Sequence, residues 1–193
     1  MDSKIKNVVF DLGGVLINLD FDNCLNAFRK AGFQDIEKQA CQFRGKGFFS
    51  QFELGKISPE EFRKAIRKEV SEALSDHEID DMWNLMLLDI PREKLDLLLK
   101  LVYLLSNTNR IHWDYACEQM FCYRGFRVND FFEDIFLSFE MHKAKPEKDI
   151  YEQMMKEANI LPEETFFIDD SAINIAWHTV LSLPYWRRFK FTF

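Results

Sequence analysis

The stretch from Val8 to Leu16 constrains the possible folds of this chain more than any other. It starts with a continuous apolar, β-branched run, which is typical of a strand buried on both faces of a sheet. The run ends at Asp11, and at Gly13 and Gly14 the backbone can turn sharply and approach a ligand closely. Open α/β sheets bind their ligands at the carboxyl ends of strands. Asp11 is therefore either a functional carboxylate or an ordinary turn residue, and this stretch alone leaves both interpretations open.

The segment from about residue 20 to residue 99 has an almost wholly helical pattern. Capping boxes at Ser58 and Ser75 begin two amphipathic helices, and Pro91 begins a further one. Short turns between several such helices predict an antiparallel bundle. We therefore predict an all-helical cap inserted into a second unit, the core, with the cap over residues 18–96 and the core made of residues 1–17 and 97–193.

After the helical segment, strands alternate with helices. Apolar runs predict three further buried strands, at 102–105, 135–137 and 165–168. This alternation indicates a parallel sheet with right-handed crossovers, so the predicted fold class is α/β with a Rossmann-like core. We expect Pro146 to lie in the first turn of the helix that follows the third strand.

Two connections in this second part are unusually short. The leucine-rich helix that ends at Lys100-Leu101 runs into the next strand without turn residues, and the helix that begins at Asn174 stops within a couple of turns. Because helix-to-strand loops usually need a few residues, we predict that residues are missing at Lys100-Leu101 and around Ile175–His178. Residues 183–193 do not resemble a clean strand. If residues are missing before them, a fifth, edge strand is expected at Thr179–Leu183.

Composition restricts the classes of partner. A formal net charge of −7 argues against a nucleic-acid partner, which would need a basic stripe, and no run is long enough to span a bilayer. The start of the chain has no apolar signal region, so we predict a cytoplasmic location. The oligomeric state is left open. The four cysteines lack the paired spacing of zinc or redox sites and are expected to be free, mostly buried thiols: Cys24, Cys41, Cys117 and Cys122.

Polar residues follow each of the four predicted strands, and parallel topology places all four strand ends at one edge of the sheet. Each element alone is weak evidence, since such residues are common in turns and caps. Together, and in this order, they are suited to handling a phosphate group: Asp11, Ser106-Asn107, Lys145 and Asp169-Asp170.

Four segments carry a resemblance to a known family: Phe10–Leu16, Leu105–Arg110, Lys145-Pro146 with Ile150-Tyr151, and Phe167–Ser171 with Asn174-Ile175. In these segments the chain resembles the haloacid dehalogenase superfamily, in the branch with a helical, C1-type cap inserted after the first motif. Within that branch it is similar to bacterial sugar-phosphate phosphatases of the α-glucose-1-phosphate phosphatase kind, and more distantly to the phosphatase domain of soluble epoxide hydrolase.

The resemblance implies a set of roles. Asp11 would attack phosphorus and form an aspartyl phosphate that water then hydrolyses. Mg²⁺ would be held by Asp11, the Gly13 carbonyl and Asp170, with Asp169 nearby, and would offset the repulsion between carboxylate and phosphate.

Further residues would position the phosphate. Lys145 would supply a second positive charge, and it is preferred over the neighbouring Lys143 because Pro146 fixes the register. The Ser106 hydroxyl and the Asn107 backbone N–H would hold phosphoryl oxygens.

Gly13 departs from the family pattern. Most phosphatases of this superfamily have a second Asp two residues after the nucleophile, where it protonates the leaving group and activates water. Three interpretations remain open here. The substrate has a good leaving group such as an anomeric oxygen, a cap residue or His112 supplies the proton, or the protein is a weak phosphatase that binds a phosphometabolite.

The cap is expected to set the substrate. Residues 47–57 break helical regularity and resemble a substrate-facing cap loop, in which Gln51 and Glu53 are candidates for binding sugar hydroxyls, although a solvated surface is an equal alternative. Arg110 and His112, just past the second motif, are candidates for the cap interface.

The leading functional hypothesis is a Mg²⁺-dependent phosphomonoesterase for a small phosphorylated metabolite, such as a sugar phosphate. One alternative, motivated by Gly13, is a phosphometabolite-binding or regulatory protein. A 2-haloacid dehalogenase is less favoured, because that chemistry needs no metal and would leave Asp169-Asp170 unexplained.

Overall fold

Within the residues that the structure describes, the protein is built on a five-stranded, all-parallel sheet with the strand order β3-β2-β1-β4-β5. The computed structural model describes residues 4–40, 47–71, 73–98, 102–176 and 186–188. The strands are β1 (Asn7–Phe10), β2 (Val102–Ser106), β3 (Ile135–Leu137), β4 (Thr165–Asp169) and β5 (Trp186–Arg188). The predicted α/β fold class and parallel sheet are thereby confirmed.

In the described part of the segment between β1 and β2, the chain forms six helices. They are α1 (Phe21–Lys30), α2 (Ile36–Ala40), α3 (Phe48–Glu53), α4 (Pro59–Glu69), α5 (Asp76–Asn84) and α6 (Arg92–Leu98). The capping boxes predicted at Ser58 and Ser75 are both formed in full. In each, the serine side chain accepts from the backbone N–H of the glutamate three residues later, and the side chain of that glutamate accepts from the backbone N–H of the serine.

The later helices flank the sheet. They are α7 (Arg110–Tyr115), continued by a π-helical turn over Ala116–Met120, then α8 (Val128–Phe131), α9 (Ser138–Met141), α10 (Lys148–Glu157) and α11 (Ala172–Ala176). Val9 of β1 lies in an apolar cluster with residues of α10, and Phe10 lies in a second apolar cluster on the other face of the sheet. The central strand is therefore buried on both faces, as its continuous apolar sequence predicts.

The helices before β2 have an apolar core of their own. It contains Phe28, Phe49, Phe62 and Trp83, and the Phe52 and Phe62 rings stack with centroids 4.3 Å apart. Aromatic pairs at such distances add to the stabilisation that burial provides. Apart from Ile111 of α7, the buried members of this cluster all come from the segment before β2, which supports a cap distinct from the core.

Two linkers run side by side between the cap helices and the sheet. Asn18 N donates to Asp89 O at 2.9 Å, Leu88 N donates back to Asn18 O at 2.9 Å, and Asp20 N donates to Met86 O at 2.9 Å. Beyond them, Leu95 and Leu98 of α6 pack into the cluster that includes Phe10. The division at residues 17/18 and 96/97 stays a prediction, and these contacts favour a return to the core before α6.

Lys94 of α6 fixes the loop that follows β1. Its side chain is buried, and Nζ donates to Val15 O at 2.6 Å and Leu16 O at 3.3 Å. A third, longer bond reaches Asn18 Oδ1 at 3.4 Å. Because a buried ammonium group needs such acceptors, α6 holds the segment between Asp11 and the cap in one position.

Several sequence predictions need correction. Residues 48–53 form helix α3 instead of an irregular loop, because Phe49 and Phe52 are buried together against the cap core. Pro146 precedes α10 and is not in its first turn, since that helix begins at Lys148.

At the end of the chain the edge strand differs from its predicted position. The edge strand is Trp186–Arg188, where no strand was expected, and the candidate at 179–183 lies outside the described residues. Lys100-Leu101 and residues 177–178, where missing residues are predicted, also lie outside the described residues.

The described cysteines are all free thiols. Cys24 is buried, Cys117 is half-buried and Cys122 is exposed, so the expectation of mostly buried thiols is wrong for them.

No helix among the described residues is both long enough and apolar enough to cross a membrane.

Candidate active site

A lysine lies between two carboxylates at the carboxyl edge of the sheet. Lys145 Nζ is 2.8 Å from Asp11 Oδ1, just past β1, and 2.8 Å from Asp169 Oδ2, at the end of β4. It also donates to Leu105 O in β2 at 3.0 Å. The three charged side chains are nearly inaccessible to solvent, with Lys145 5%, Asp11 9% and Asp169 1% exposed. The sheet brings Asp11 and Asp169 together because β1 pairs with β4. Lys145 comes from the segment after β3, which lies on the other side of β1, next to β2.

Burial and charge act against each other in this centre. Burial raises the pKa of the Asp11 carboxyl to about 7, although the ammonium group of Lys145 lowers it. Burial alone would lower the pKa of Lys145, but the carboxylates of Asp11 and Asp169 outweigh it and raise that pKa. One cation thus faces two carboxylates away from water, which leaves an excess of negative charge that a divalent cation would offset.

A third carboxylate completes a candidate metal site. Oxygens of Asp11, Asp169 and Asp170 all lie within 4.8 Å of one another, and carboxylate oxygens are the ligands that Mg²⁺ prefers. Asp169 already accepts bonds from Lys145 Nζ, from Ser171 N at 2.8 Å and from Asn174 Nδ2 at 3.0 and 3.1 Å.

The residues present therefore fit the ion. Asp11 and the exposed Asp170 are best placed to bind it directly, and Asp169 is best placed to support them. A role for the Gly13 carbonyl as a further ligand stays a prediction.

Gly14 is required for Asp170 to approach. Its φ is +72°, and a Cβ added there would lie 2.4 Å from Asp170 Oδ2. We therefore expect Gly14→Ala to displace Asp170 and to weaken Mg²⁺ binding by at least about 10-fold, since one charge-assisted contact contributes roughly 1.5–3 kcal/mol. The measurement is the shift in melting temperature as a function of Mg²⁺ concentration.

Gly13→Ala is the matched control for this prediction. A Cβ added at Gly13 would meet only the Leu19 side chain, with Cδ1 at 3.0 Å, which can move by a few tenths of an ångström. Its Mg²⁺-dependent shift should stay close to that of the wild type. Equal weakening in both variants would contradict a specific need for glycine at Gly14.

Asn107 has a second role that its position in the sequence does not reveal. Its side chain donates from Nδ2 to Lys145 O at 2.8 Å and accepts from Lys145 N at 2.8 Å. This two-point pairing fixes the backbone of the lysine and links the end of β2 to the loop after β3. The neighbouring Lys143 instead forms a partly exposed pair with Asp149, with Nζ 3.6 Å from Oδ2.

A cavity of about 100 Å³ lies beside this centre, between the sheet edge and the cap helices. Gly13, Ser106 and Asn107 line its core side, and Leu19 fills the space next to Gly13 where a longer side chain would extend. Glu53 of α3 lines it from the cap side. Ser106 and Asn107, the predicted phosphate-binding residues, are thus brought together with a cap residue.

Two other predicted substrate residues lie elsewhere. Arg110 pairs with Glu140 at 3.0 Å and Asp114 at 3.4 Å, and its guanidinium lies 4.7 Å from the centre of the Phe139 ring. Gln51 is half-buried on α3. Neither is among the described residues that line the cavity, so their roles as substrate ligands stay predictions without support from this geometry.

His112 does line the cavity, but it is tied into a cap-to-core network. Its ring stacks on Trp83 of α5 with centroids 4.7 Å apart, Nε2 lies 3.1 Å from Trp83 O, and Nδ1 lies 3.1 Å from Asn109 Nδ2. A carbonyl oxygen accepts from Nε2–H, so Nδ1 accepts from the amide and the ring is neutral. Burial lowers the pKa of His112 to about 4. The sequence gives His112 as a candidate for the cap interface, but it carries no signal for the partner Trp83, which meets His112 only through tertiary packing.

The chain is similar in sequence to a known protein family and to a named enzyme. The family model of haloacid dehalogenase-like hydrolases matches residues 5–176. A protein named D-ribitol-5-phosphate phosphatase, from Bacteroides thetaiotaomicron, is 36% identical over 176 residues, which is 89% of this chain and 85% of that protein.

Two solved structures are also similar. A HAD family enzyme of Bacteroides thetaiotaomicron, crystallised with magnesium and inorganic phosphate, has a TM-score of 0.89 at 49% identity, over 95% of this chain and 93% of that one. A HAD-like family hydrolase of Porphyromonas gingivalis has a TM-score of 0.86 at 34% identity, over 96% and 91% of the two chains.

Proposed function

The chain belongs to the haloacid dehalogenase-like hydrolases, and on this premise we propose that it is a Mg²⁺-dependent phosphatase for a small phosphorylated sugar or polyol. The observation that carries the proposal is the placement of Lys145 Nζ 2.8 Å from both Asp11 and Asp169, with Asp170 completing a carboxylate cluster. The related enzyme crystallised with magnesium and inorganic phosphate supports the same assignment.

In the proposed reaction, Asp11 attacks phosphorus and forms an aspartyl phosphate, and water then releases inorganic phosphate and restores the carboxylate. Lys145 stays charged between the nucleophile and the phosphoryl oxygens, held by Asp169 and by the side chain of Asn107. The Ser106 hydroxyl, at the end of β2, holds a further oxygen. Bound Mg²⁺ would supply charge neutralisation between the attacking carboxylate and the phosphate dianion.

For the substrate we propose a phosphorylated linear polyol of about five carbons, ahead of the hexose phosphate considered from the sequence. The support is the relative that is named for D-ribitol 5-phosphate, at 36% identity over 89% of this chain. The cavity beside Ser106 is small, which favours a compact substrate over one with a bulky second group.

The second candidate function, a phosphometabolite-binding protein of low activity, is favoured by Gly13, which cannot supply the proton that a phosphatase needs. Dehalogenation is disfavoured by the three-carboxylate cluster, since an attack on carbon has no use for it.

The test is phosphate release from a panel of esters, including D-ribitol 5-phosphate, hexose 1-phosphates and p-nitrophenyl phosphate. Turnover is expected to require Mg²⁺, to stop in excess chelator and to be fastest on the polyol ester. Activity that persists in chelator would contradict the metal-dependent mechanism. Tight binding of a phosphate ester without turnover of any member would favour the binding protein.

The cytoplasmic location, the lack of nucleic-acid and membrane partners, and the division into cap and core rest on the sequence and stay predictions.

A further inference from the structure

Gly13 leaves the proposed reaction without a proton donor. The alkoxide that leaves an alkyl phosphate is a strong base, so departure of the polyol oxygen needs a proton, and the attacking water must later lose one. A substrate with a good leaving group would relax this need, but a linear polyol phosphate does not offer one. Among the described residues that line the cavity beside Gly13, two carry titratable side chains: Glu53 and His112.

His112 is not available for proton transfer. Both of its ring nitrogens are engaged, Nε2 with Trp83 O and Nδ1 with Asn109 Nδ2, each at 3.1 Å. The ring is stacked face to face on the indole of Trp83, so it cannot turn toward a substrate without breaking the contact between cap and core. Glu53 is the remaining group.

The backbone around Glu53 is fastened to the core. Ser138 Oγ is 2.7 Å from Glu53 O, and His142 Nδ1–H donates to Leu54 O at 3.0 Å. The next residue, Gly55, lies so close to α9 that an added Cβ would be 2.0 Å from Phe139 O. The end of α3 is therefore packed against α9, the helix that follows β3, and these contacts fix the backbone that carries Glu53 at the cavity.

We propose that Glu53 is the general acid and general base of the reaction, in place of the side chain that Gly13 lacks. This inference rests on the proposed phosphatase function. In the first step the Asp11 carboxylate forms a bond to phosphorus, the bond from phosphorus to the polyol oxygen breaks, and the Glu53 proton passes to that oxygen. In the second step Glu53 takes a proton from the water that attacks phosphorus, and the bond between phosphorus and Asp11 breaks, which restores both residues.

The environment of Glu53 suits a group that both gives and takes a proton. Glu53 lines the cavity and is half-buried as a residue, and burial raises the pKa of its carboxyl to about 7. A carboxyl group with such a pKa holds a proton on a useful fraction of molecules near neutrality and can still act as a base after losing it.

The test is the dependence of Glu53→Gln on the leaving group. For D-ribitol 5-phosphate, kcat/KM is expected to fall by about 10²–10⁴-fold, the range typical of a lost general acid. For p-nitrophenyl phosphate, whose leaving group needs no proton, kcat/KM should fall by less than about 10-fold, on the same principle. Because water attack on the aspartyl phosphate is also slowed, this variant should release p-nitrophenolate in a burst of about one equivalent per enzyme.

Glu69→Gln, an exposed position on α4, is the matched control and should keep wild-type kinetics on both esters. Glutamine is nearly isosteric with glutamate, so the variant is expected to fold, and its melting temperature checks this. An equal loss on both esters, a change confined to KM, or no loss at all would overturn the proposal. If the wild-type protein hydrolyses none of the esters, the proposed function itself fails, which is a distinct outcome.

Discussion

Asp11→Asn is expected to lower kcat for phosphate ester hydrolysis by at least about 10⁴-fold while the protein stays folded. An amide cannot form the aspartyl phosphate, so the covalent step is lost. The amide oxygen can still accept the bonds that Oδ1 accepts from Leu12 N at 2.7 Å and from Lys145 Nζ at 2.8 Å. The measurement is phosphate release at saturating D-ribitol 5-phosphate and Mg²⁺.

The same substitution should change the pH dependence of stability. Burial raises the pKa of Asp11 to about 7, so the folded state binds more protons at this position than the unfolded state between the ordinary carboxyl range and pH 7. In Mg²⁺-free buffer the wild-type protein therefore loses stability as the pH rises through this window, and Asp11→Asn lacks that contribution. The melting temperature of the variant relative to the wild type should be higher at pH 8 than at pH 5.

Asp22→Asn, an exposed position in the first turn of α1, is the control for both measurements and should match the wild type. Retention of more than about a tenth of kcat by Asp11→Asn would contradict its assignment as the nucleophile, since a lost nucleophile costs several orders of magnitude.

Lys145→Met is expected to abolish turnover and to destabilise the protein by about 3–5 kcal/mol, the usual cost of removing one member of a buried ion pair. Methionine fills the space of the lysine stem but leaves Asp11 and Asp169, 9% and 1% exposed, without their shared cation. Chemical denaturation in Mg²⁺-free buffer measures the stability. Phosphate release with saturating Mg²⁺ measures the activity, because the ion can neutralise part of the charge but not replace the contact.

Two further variants test the prediction for Lys145→Met. Lys143→Met removes a partly exposed pair with Asp149, for which a cost of only about 0–1 kcal/mol is expected. The double variant Asp11→Asn with Lys145→Met should be less destabilised than the sum of the single variants, because the amide leaves one carboxylate fewer unpaired. A loss for Lys145→Met as small as that for Lys143→Met would show that the buried pair contributes little.

Much of the fold follows from local patterns in the chain. The continuous apolar run that ends at Asp11 predicts a buried strand, and the serines at 58 and 75 predict helix starts, because these signals depend only on near neighbours. Parallel topology then places Asp11, Lys145 and Asp169 at one edge, since strand ends in such a sheet coincide. The resemblance to a known family added the roles, and the structure added the 2.8 Å contacts.

Other features had weak or misleading local signals. The edge strand Trp186–Arg188 was not predicted, because its pairing with β4 is a tertiary contact and its sequence lacks the apolar character of the other strands. The sequence favours a loop in place of helix α3, because six residues give too few turns for a periodic pattern.

The sequence by itself determines which groups stand at the strand ends: a carboxylate after β1, two at the end of β4, a lysine after β3, and a glycine where most phosphatases of the superfamily have a second Asp. Only the tertiary structure decides how that centre is completed. Leu19 occupies the space beside Gly13. Both ring nitrogens of His112 are engaged, by Trp83 and Asn109. Ser138 and His142 hold the end of α3 against the core, which places Glu53 at the cavity. Most of these contacts, such as that of Ser138 with Glu53, join residues tens of positions apart in the chain. No local pattern encodes a contact that exists only once both surfaces have packed.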